Sequence, residues 1–117
     1  MMNNLMIETM ESYNQYISSL PSGCQAIADL IREDRIQEGV RNILQFSEGM
    51  GWIVDANRLL EENGQSVLLQ PEKIHEFLEE VNSGLEIQDY IIVADMFEYE
   101  IKPFFEDCTF YEISEVK

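Results

Sequence analysis

Residues 34–62, DRIQEGVRNILQFSEGMGWIVDANRLLEE, decide the fold. Ile36, Val40, Ile43, Leu44, Ser47, Met50, Val54 and Leu59 recur along them at the three- and four-residue spacings of a helical face, not at the alternation of a strand. Asp34, with Gln37 three residues on, reads as an acidic cap opening the helix, and Asn63-Gly64 as its stop. A helix this long must cover its apolar side against others, which predicts an all-α bundle. Gly39, Ile43, Ser47 and Gly51 lie four apart and predict a shallow groove where a second helix approaches closely. Gly49 and Gly51 each weaken the helix by about 1 kcal/mol relative to Ala, which allows a kink near Met50. Trp52 reads as a large core residue, with an interface anchor as the alternative.

On the N-terminal side, Met6, Met10, Tyr13, Ile17 and Leu20 mark a first helix from about Asn4 to Leu20. Pro21-Ser22-Gly23 reads as its stop, and Ser22-Gly23-Cys24-Gln25 as a capping box opening a short second helix buried through Ile27, Leu30 and Ile31. On the C-terminal side, residues 65–70 form a connector and Pro71 suits the first position of a fourth helix, with Leu69 and Ile74 spaced as a hydrophobic staple. Ile74, Phe77, Leu78 and Val81 are its stripe, which ends near Asn82. Ser83-Gly84-Leu85-Glu86 reads as the capping box of a fifth helix lasting to Pro103 or just beyond.

The expectation is therefore one helical domain over 1–117, an up-and-down bundle of about five helices, with the short second helix attached to four long ones. A short helix, a tight turn and a long helix occur at 22–62 and again at 71–105, which suggests two related short-long pairs; fewer than three such units exclude a solenoid. The tail 107–117 carries β-favouring Thr109, Phe110, Tyr111, Ile113 and Val116, and extended and short-helical readings both stay open.

Of the 117 residues, 23 are acidic and 7 are Lys or Arg, a net charge of −16. Proteins that bind a phosphate backbone or an anionic lipid surface release its counterions with clustered Lys and Arg, which this chain lacks, so neither nucleic acid nor membrane is expected as a partner. The imbalance is steepest after residue 60, where 15 acids face 3 bases. With no apolar run long enough to span a bilayer and no signal-peptide order at Met1-Met2-Asn3-Asn4, a cytoplasmic location is expected. Cys24 and Cys108, 84 positions apart and without metal-ligand spacing, read as reduced thiols.

The fifth helix is the least ordinary segment. Gln88, Asp95, Glu98, Lys102 and Glu106 form one polar stripe; Tyr90, Val93, Phe97, Ile101 and Phe104 fill a second side, and Leu85, Ile92, Met96 and Tyr99 a third. A helix apolar over so much of its circumference is central in a bundle or covered by a partner. Asp89 and Glu100 flank Ile92 and Met96 on that line and would meet Arg32, Arg35, Arg41 or Arg58 within the molecule, or a basic partner outside it; alternatively Asp89 simply favours the helix start. The partner-binding candidates are Asp89, Met96, Phe97, Tyr99 and Glu100.

Signals of chemistry are weak. Glu72-x-x-His75 has the spacing that places two metal ligands on one helix face, but a di-iron bundle needs a second such pair and His75 is the only histidine. The acid pairs Glu61-Glu62, Glu79-Glu80 and Glu98 with Glu100 are what so acidic a chain supplies by chance, and Gly49-Met50-Gly51 falls inside a helical pattern rather than in a phosphate loop. No catalytic residue and no cofactor is assigned. In size, charge and helix content the chain is similar to small acidic bacterial helical proteins such as flagellar export chaperones and toxin-immunity proteins, although no motif carries the similarity. The leading expectation is an acidic protein-binding module, an adaptor, chaperone or inhibitor of a basic partner, with a homodimer through the fifth helix as a further form. The alternative is a small metal-binding or carboxylate-based enzyme of helical-bundle type.

Overall fold

The computed structural model describes residues 3–113 and is all helical: α1 (Asn4–Arg32), α2 (Ile36–Glu62), α3 (Pro71–Glu86), and a last helix built from α4 (Tyr90–Asp95), a π-helical turn (Met96–Ile101) and α5 (Lys102–Glu106). These five α-helical pieces make four helices, because α4, the π turn and α5 follow one another without a break. The bundle is elongated, 52 × 22 × 21 Å.

Pro21 does not end the first helix. Met6, Met10, Tyr13, Ile17, Leu20, Cys24, Ile27 and Ile31 are all buried, in unbroken alternating steps of four and three. That repeat keeps one seam facing its partners over eight turns, as in a coiled coil, and its burial outweighs the hydrogen bond that Pro21 deletes. Ser22, expected as a cap, instead donates back to the Ser19 carbonyl at 3.1 Å within the helix. The short second helix is thus the C-terminal end of α1, and the two short-long pairs become a long hairpin, α1–α2, followed by a shorter one, α3 with α4 to α5. The start is capped as its residue type favours: Asn3 Oδ1 accepts from the Met6 amide at 2.8 Å.

On α2 Gly39, Ile43, Phe46, Met50, Ile53, Asn57 and Leu60 are buried, again in steps of four and three, with Ala56 buried beside them. This is not the line read from the sequence: Val40 and Leu44 project to solvent, and Trp52 is 42% exposed with its ring edge-on to Tyr16 at 6.1 Å, half outside the core. The line of close approach also differs. An added Cβ would press on Ile31 at Gly39 and on the Tyr16 ring at Gly49, whereas at Gly51 it would meet nothing within 4 Å. Gly51 faces water, so the groove runs through Gly39 and Gly49, where α1 side chains lie on α2 backbone.

Three helices end in the same way. After α1, α2 and α3 the chain passes through a left-handed residue, Asp34 (φ 64°), Gly64 (φ 89°) and Gln88 (φ 57°). In each case the following amide bonds back to the carbonyl five residues earlier: Arg35 to Leu30, Gln65 to Leu60 and Asp89 to Gly84, at 2.8–2.9 Å. These are Schellman closures, which satisfy carbonyls the helix end leaves open. Asp34 occupies the left-handed position, so α2 is capped not by Asp34 but at Arg35, whose guanidinium pairs with Glu38. The Ser83 box is likewise absent; α3 runs through it, and Asp89 Oδ1 caps α4 by accepting from the Ile92 amide at 3.2 Å. Pro71 opens α3, and Leu69 and Ile74 are buried together as the staple spacing predicts.

α1 is the central element, packed on α2 along one side and on α4, the π turn and α5 along the other, while α3 covers α4 and the π turn. Between them lies an aromatic core of edge-on rings, Phe97 on Phe46 at 5.2 Å, Phe77 on Phe104 at 5.2 Å and Phe104 on Phe105 at 5.1 Å.

The π turn follows from the sequence around it. Val93, Phe97, Ile101 and Phe105 are buried at uniform steps of four. In an α-helix of about 3.6 residues per turn, each such step overshoots a full turn by about 40°, so three steps would rotate Phe105 about 120° away from Val93. A wider turn absorbs that drift and keeps the four on the core. Pro103 favours it too, since its ring would press on the Tyr99 carbonyl in α geometry, and the Lys102 amide bonds to the Phe97 carbonyl, five residues back.

Beyond Glu106, Asp107 is a turn residue and residues 108–113 form neither helix nor strand, so the short-helical reading fails over the described part of the tail; Val116 and the other residues 114–117 lie outside the described residues.

Candidate functional site

The polar stripe of the last helix faces α1. Arg32 reaches from the end of α1 to Asp95 at 3.0 Å and Glu98 at 3.2 Å, and Lys102 donates to Gln25 at 3.0 Å. Gln25 in turn donates to Asp29 at 2.9 Å and Glu98 at 3.3 Å. Partial burial opposes ionisation of Glu98, but hydrogen bonds led by Gln25, together with the Arg32 charge, outweigh it and hold its carboxyl below the usual range. The hydrogen bond to Asp95 is the main reason the Arg32 guanidinium holds its proton more tightly than usual. This ladder ties the polar stripe of the last helix to the C-terminal half of α1. It pairs Arg32 with Asp95 and Glu98, not with Asp89 or Glu100, while Arg35 takes Glu38 and Arg58 takes Asp55 within α2.

The five candidates separate. Met96 and Phe97 are buried, Phe97 completely, and belong to the core of this chain. Asp89 caps α4. Tyr99 and Glu100 are exposed, and the Tyr99 ring lies 5.9 Å from the Arg32 guanidinium carbon. What surrounds Tyr99 was only half legible: Ile92 was read as part of an apolar side, but Ile87 and Ile91 were assigned to none. Ile87, Ile91 and Tyr99 are 72%, 73% and 63% exposed, and Ile92 45%. Ile91 and Tyr99 are eight apart in the last helix with Asp95 midway, while Ile87 precedes them as the C-cap of α3, and the recurrence of large apolar residues there was the available signal. These residues fall in the α3–α4 turn and the last helix, a stretch that also carries Glu86, Asp95, Glu98 and Glu100. Neighbouring α3 presents Glu72, Glu76, Glu79 and Glu80 on its solvent side.

The metal candidates do not converge. His75 lies in the first turns of α3, exposed, with Nε2 2.8 Å from Glu79 rather than turned toward Glu72. Among the described residues no three His, Cys, Asp or Glu side chains gather as a metal site. Both cysteines are free; burial pushes the Cys24 thiol up to about 12, and burial also raises Cys108, whose Sγ lies 3.4 Å from the Phe104 carbonyl oxygen. Among the described residues no helix is long and apolar enough to cross a membrane.

A domain family of unknown function, DUF8042, matches residues 8–109. The chain belongs to the DUF8042 family. The match takes in the Arg32 ladder, the π turn and the patch of Ile87, Ile91, Ile92 and Tyr99, so these are parts of the DUF8042 domain itself, whereas Tyr111 follows its end. No curated protein and no solved structure matches the chain.

Proposed function

We propose that this DUF8042 protein is a binding module for a basic protein partner, which it contacts through the outer face of α4. The observation that carries the reading is the exposure of Ile87, Ile91, Ile92 and Tyr99 at the α3–α4 turn and along the last helix, in a stretch that also carries Glu86, Asp95, Glu98 and Glu100. A contiguous apolar patch with a charged rim suits a complementary surface, where the apolar centre supplies affinity and the rim supplies steering and selectivity. The net charge of −16 favours a basic partner and opposes close approach of a second copy. Cytoplasmic residence as an adaptor, chaperone or inhibitor is part of the same reading.

The test is affinity capture with the wild-type chain and with Ile91→Glu, both first shown to be folded by circular dichroism, followed by titration of the captured partner at rising salt. A partner with basic character, retained by the wild type, lost with Ile91→Glu and weakened by salt supports the reading. Retention by Ile91→Glu at unchanged affinity removes this face from consideration. Sedimentation at high concentration separates the homodimer, which would form without any added partner.

A further inference from the structure

At the other end of the bundle, the tail after α5 is held through one residue. The Asn14 side chain clasps the main chain of Tyr111 on both sides, Oδ1 accepting its amide and Nδ2 donating to its carbonyl, each at 2.9 Å. The Tyr111 ring stands edge-on to Tyr13 at 5.0 Å, and its hydroxyl lies 2.9 Å from Asn57 Oδ1 and 3.1 Å from the Ser66 carbonyl oxygen. Asn57 is itself buried, its amide fixed by donation to the Ile53 carbonyl at 3.1 Å. The residues around this anchor contrast with it: Thr109, Phe110 and Glu112 are exposed.

This pattern is that of a bound peptide more than of a core element. A side-chain amide grips the main chain of one residue on both sides, that residue's aromatic ring is buried, and the hydroxyl meets two acceptors. The pocket comes from α1, α2 and the connector before α3, all inside the residues matched by DUF8042, while its occupant lies past residue 109. Two features show a site not used up by that occupant. The Tyr13 hydroxyl is fully buried beside the ring and, among the described residues, has no partner within hydrogen-bond distance. Asn57 also lines an adjoining cleft of about 570 Å³, bounded by Val54, Arg58, Glu61, Val67 and Gln70.

We infer that this end of the bundle is a recognition slot for an extended, tyrosine-bearing peptide segment, and that the chain's own tail around Tyr111 is its resident ligand, exchangeable with the same segment supplied in trans. The inference is independent of the α4 surface.

The test uses the full chain carrying Tyr111→Ala, which vacates the place of the ring and hydroxyl, leaves the tail held only by its main-chain bonds to Asn14, and keeps Asn14, Asn57 and Tyr13 in place. The probe is a labelled synthetic peptide of residues 107–113. Saturable binding to this variant, at least tenfold weaker binding to the wild type whose own tail competes, and at least fivefold loss on adding Asn14→Ala are expected. A folded Tyr111→Ala chain that binds neither the peptide nor its Tyr111→Ala analogue, or binds both alike, overturns the slot. If Tyr111→Ala abolishes the helical spectrum, hydrogen exchange of the wild type decides. A Tyr111 amide that exchanges at least tenfold faster than the Ile17 amide supports an exchangeable tail, and one that exchanges only with global unfolding overturns it.

Discussion

Two glycines in the middle of α2, two residues apart, are expected to respond oppositely to the same substitution. Replacing either with Ala improves helix propensity by roughly 1 kcal/mol. At Gly51 nothing opposes that gain, because the new Cβ meets no atom within 4 Å. At Gly49 the Cβ would overlap the Tyr16 hydroxyl and fall 2.6 Å from Cζ and 3.0 Å from Cε2 of the same ring. Contact with the hydroxyl and two ring atoms means the whole side chain must swing away, with loss of its edge-on contact to Trp52, worth about 0.5 to 1.5 kcal/mol, in addition to overpacking strain of about 1 to 3 kcal/mol. Gly51→Ala should therefore be stabilised by about 0.5 to 1 kcal/mol, and Gly49→Ala should lie about 2 to 4 kcal/mol below it. Urea denaturation at constant slope gives both values, and Trp52, the only tryptophan, reports the ring's displacement by fluorescence. Combining Gly49→Ala with Tyr16→Ala isolates the cause, because the penalty should vanish once the ring is gone. Equal stabilisation by both single substitutions, or a penalty that survives removal of Tyr16, would refute the close approach of α1 to α2 at this position.

Gln88→Gly should stabilise the chain by about 0.5 to 1 kcal/mol in thermal or urea unfolding, since glycine holds the left-handed conformation of the α3–α4 turn without a Cβ clash. Phe97→Ala should be destabilised by about 3 to 5 kcal/mol, whereas Tyr99→Ala should leave unfolding midpoints within about 0.5 kcal/mol of wild type. Burial raises the Tyr111 hydroxyl to about 12, a pKa above its unfolded value of about 10. Its contribution is thus complete below pH 10 and is lost as the pH rises toward 12, so the unfolding midpoint should fall across that window, less steeply in Tyr111→Phe. Cys108 should react with a thiol reagent before fully buried Cys24 in the native chain, as mass spectrometry of the singly modified product would show.

The class of fold was legible because it rests on period. Long runs at three- and four-residue spacing have no strand reading, and the Asn63-Gly64 stop, the Pro71 start and the Leu69–Ile74 staple all stand where local chemistry puts them. The failures are places where a local signal met a stronger tertiary one. Pro21 and Ser22 look like a boundary, but the buried seam of α1 runs through them at unchanged spacing. Asp34 and Ser83 look like caps, but helix ends are also shaped by how the chain must turn, and here Asp34 and Gln88 take left-handed positions usually given to glycine. On α2 the sequence offers two adjacent apolar lines, Val40 and Leu44 beside Ile43 and Met50, and only the packing of α1 decides which is inside.

The last helix shows most clearly what a fixed period hides. With about 100° per residue, its apolar positions spread over two sides and appear to demand an external partner. The π turn changes the period between Met96 and Ile101, gathers Val93, Phe97, Ile101 and Phe105 onto one internal face, and thereby removes Phe97 from any surface. What then stays outside is Ile87, Ile91, Ile92 and Tyr99, and of these the Tyr99 ring lies 5.9 Å from the Arg32 guanidinium that pairs with Asp95 and Glu98. The same local widening that completes the core therefore also sets which apolar residues stay exposed. A substitution that abolished the π turn, such as Pro103→Ala, would be expected to disturb both together.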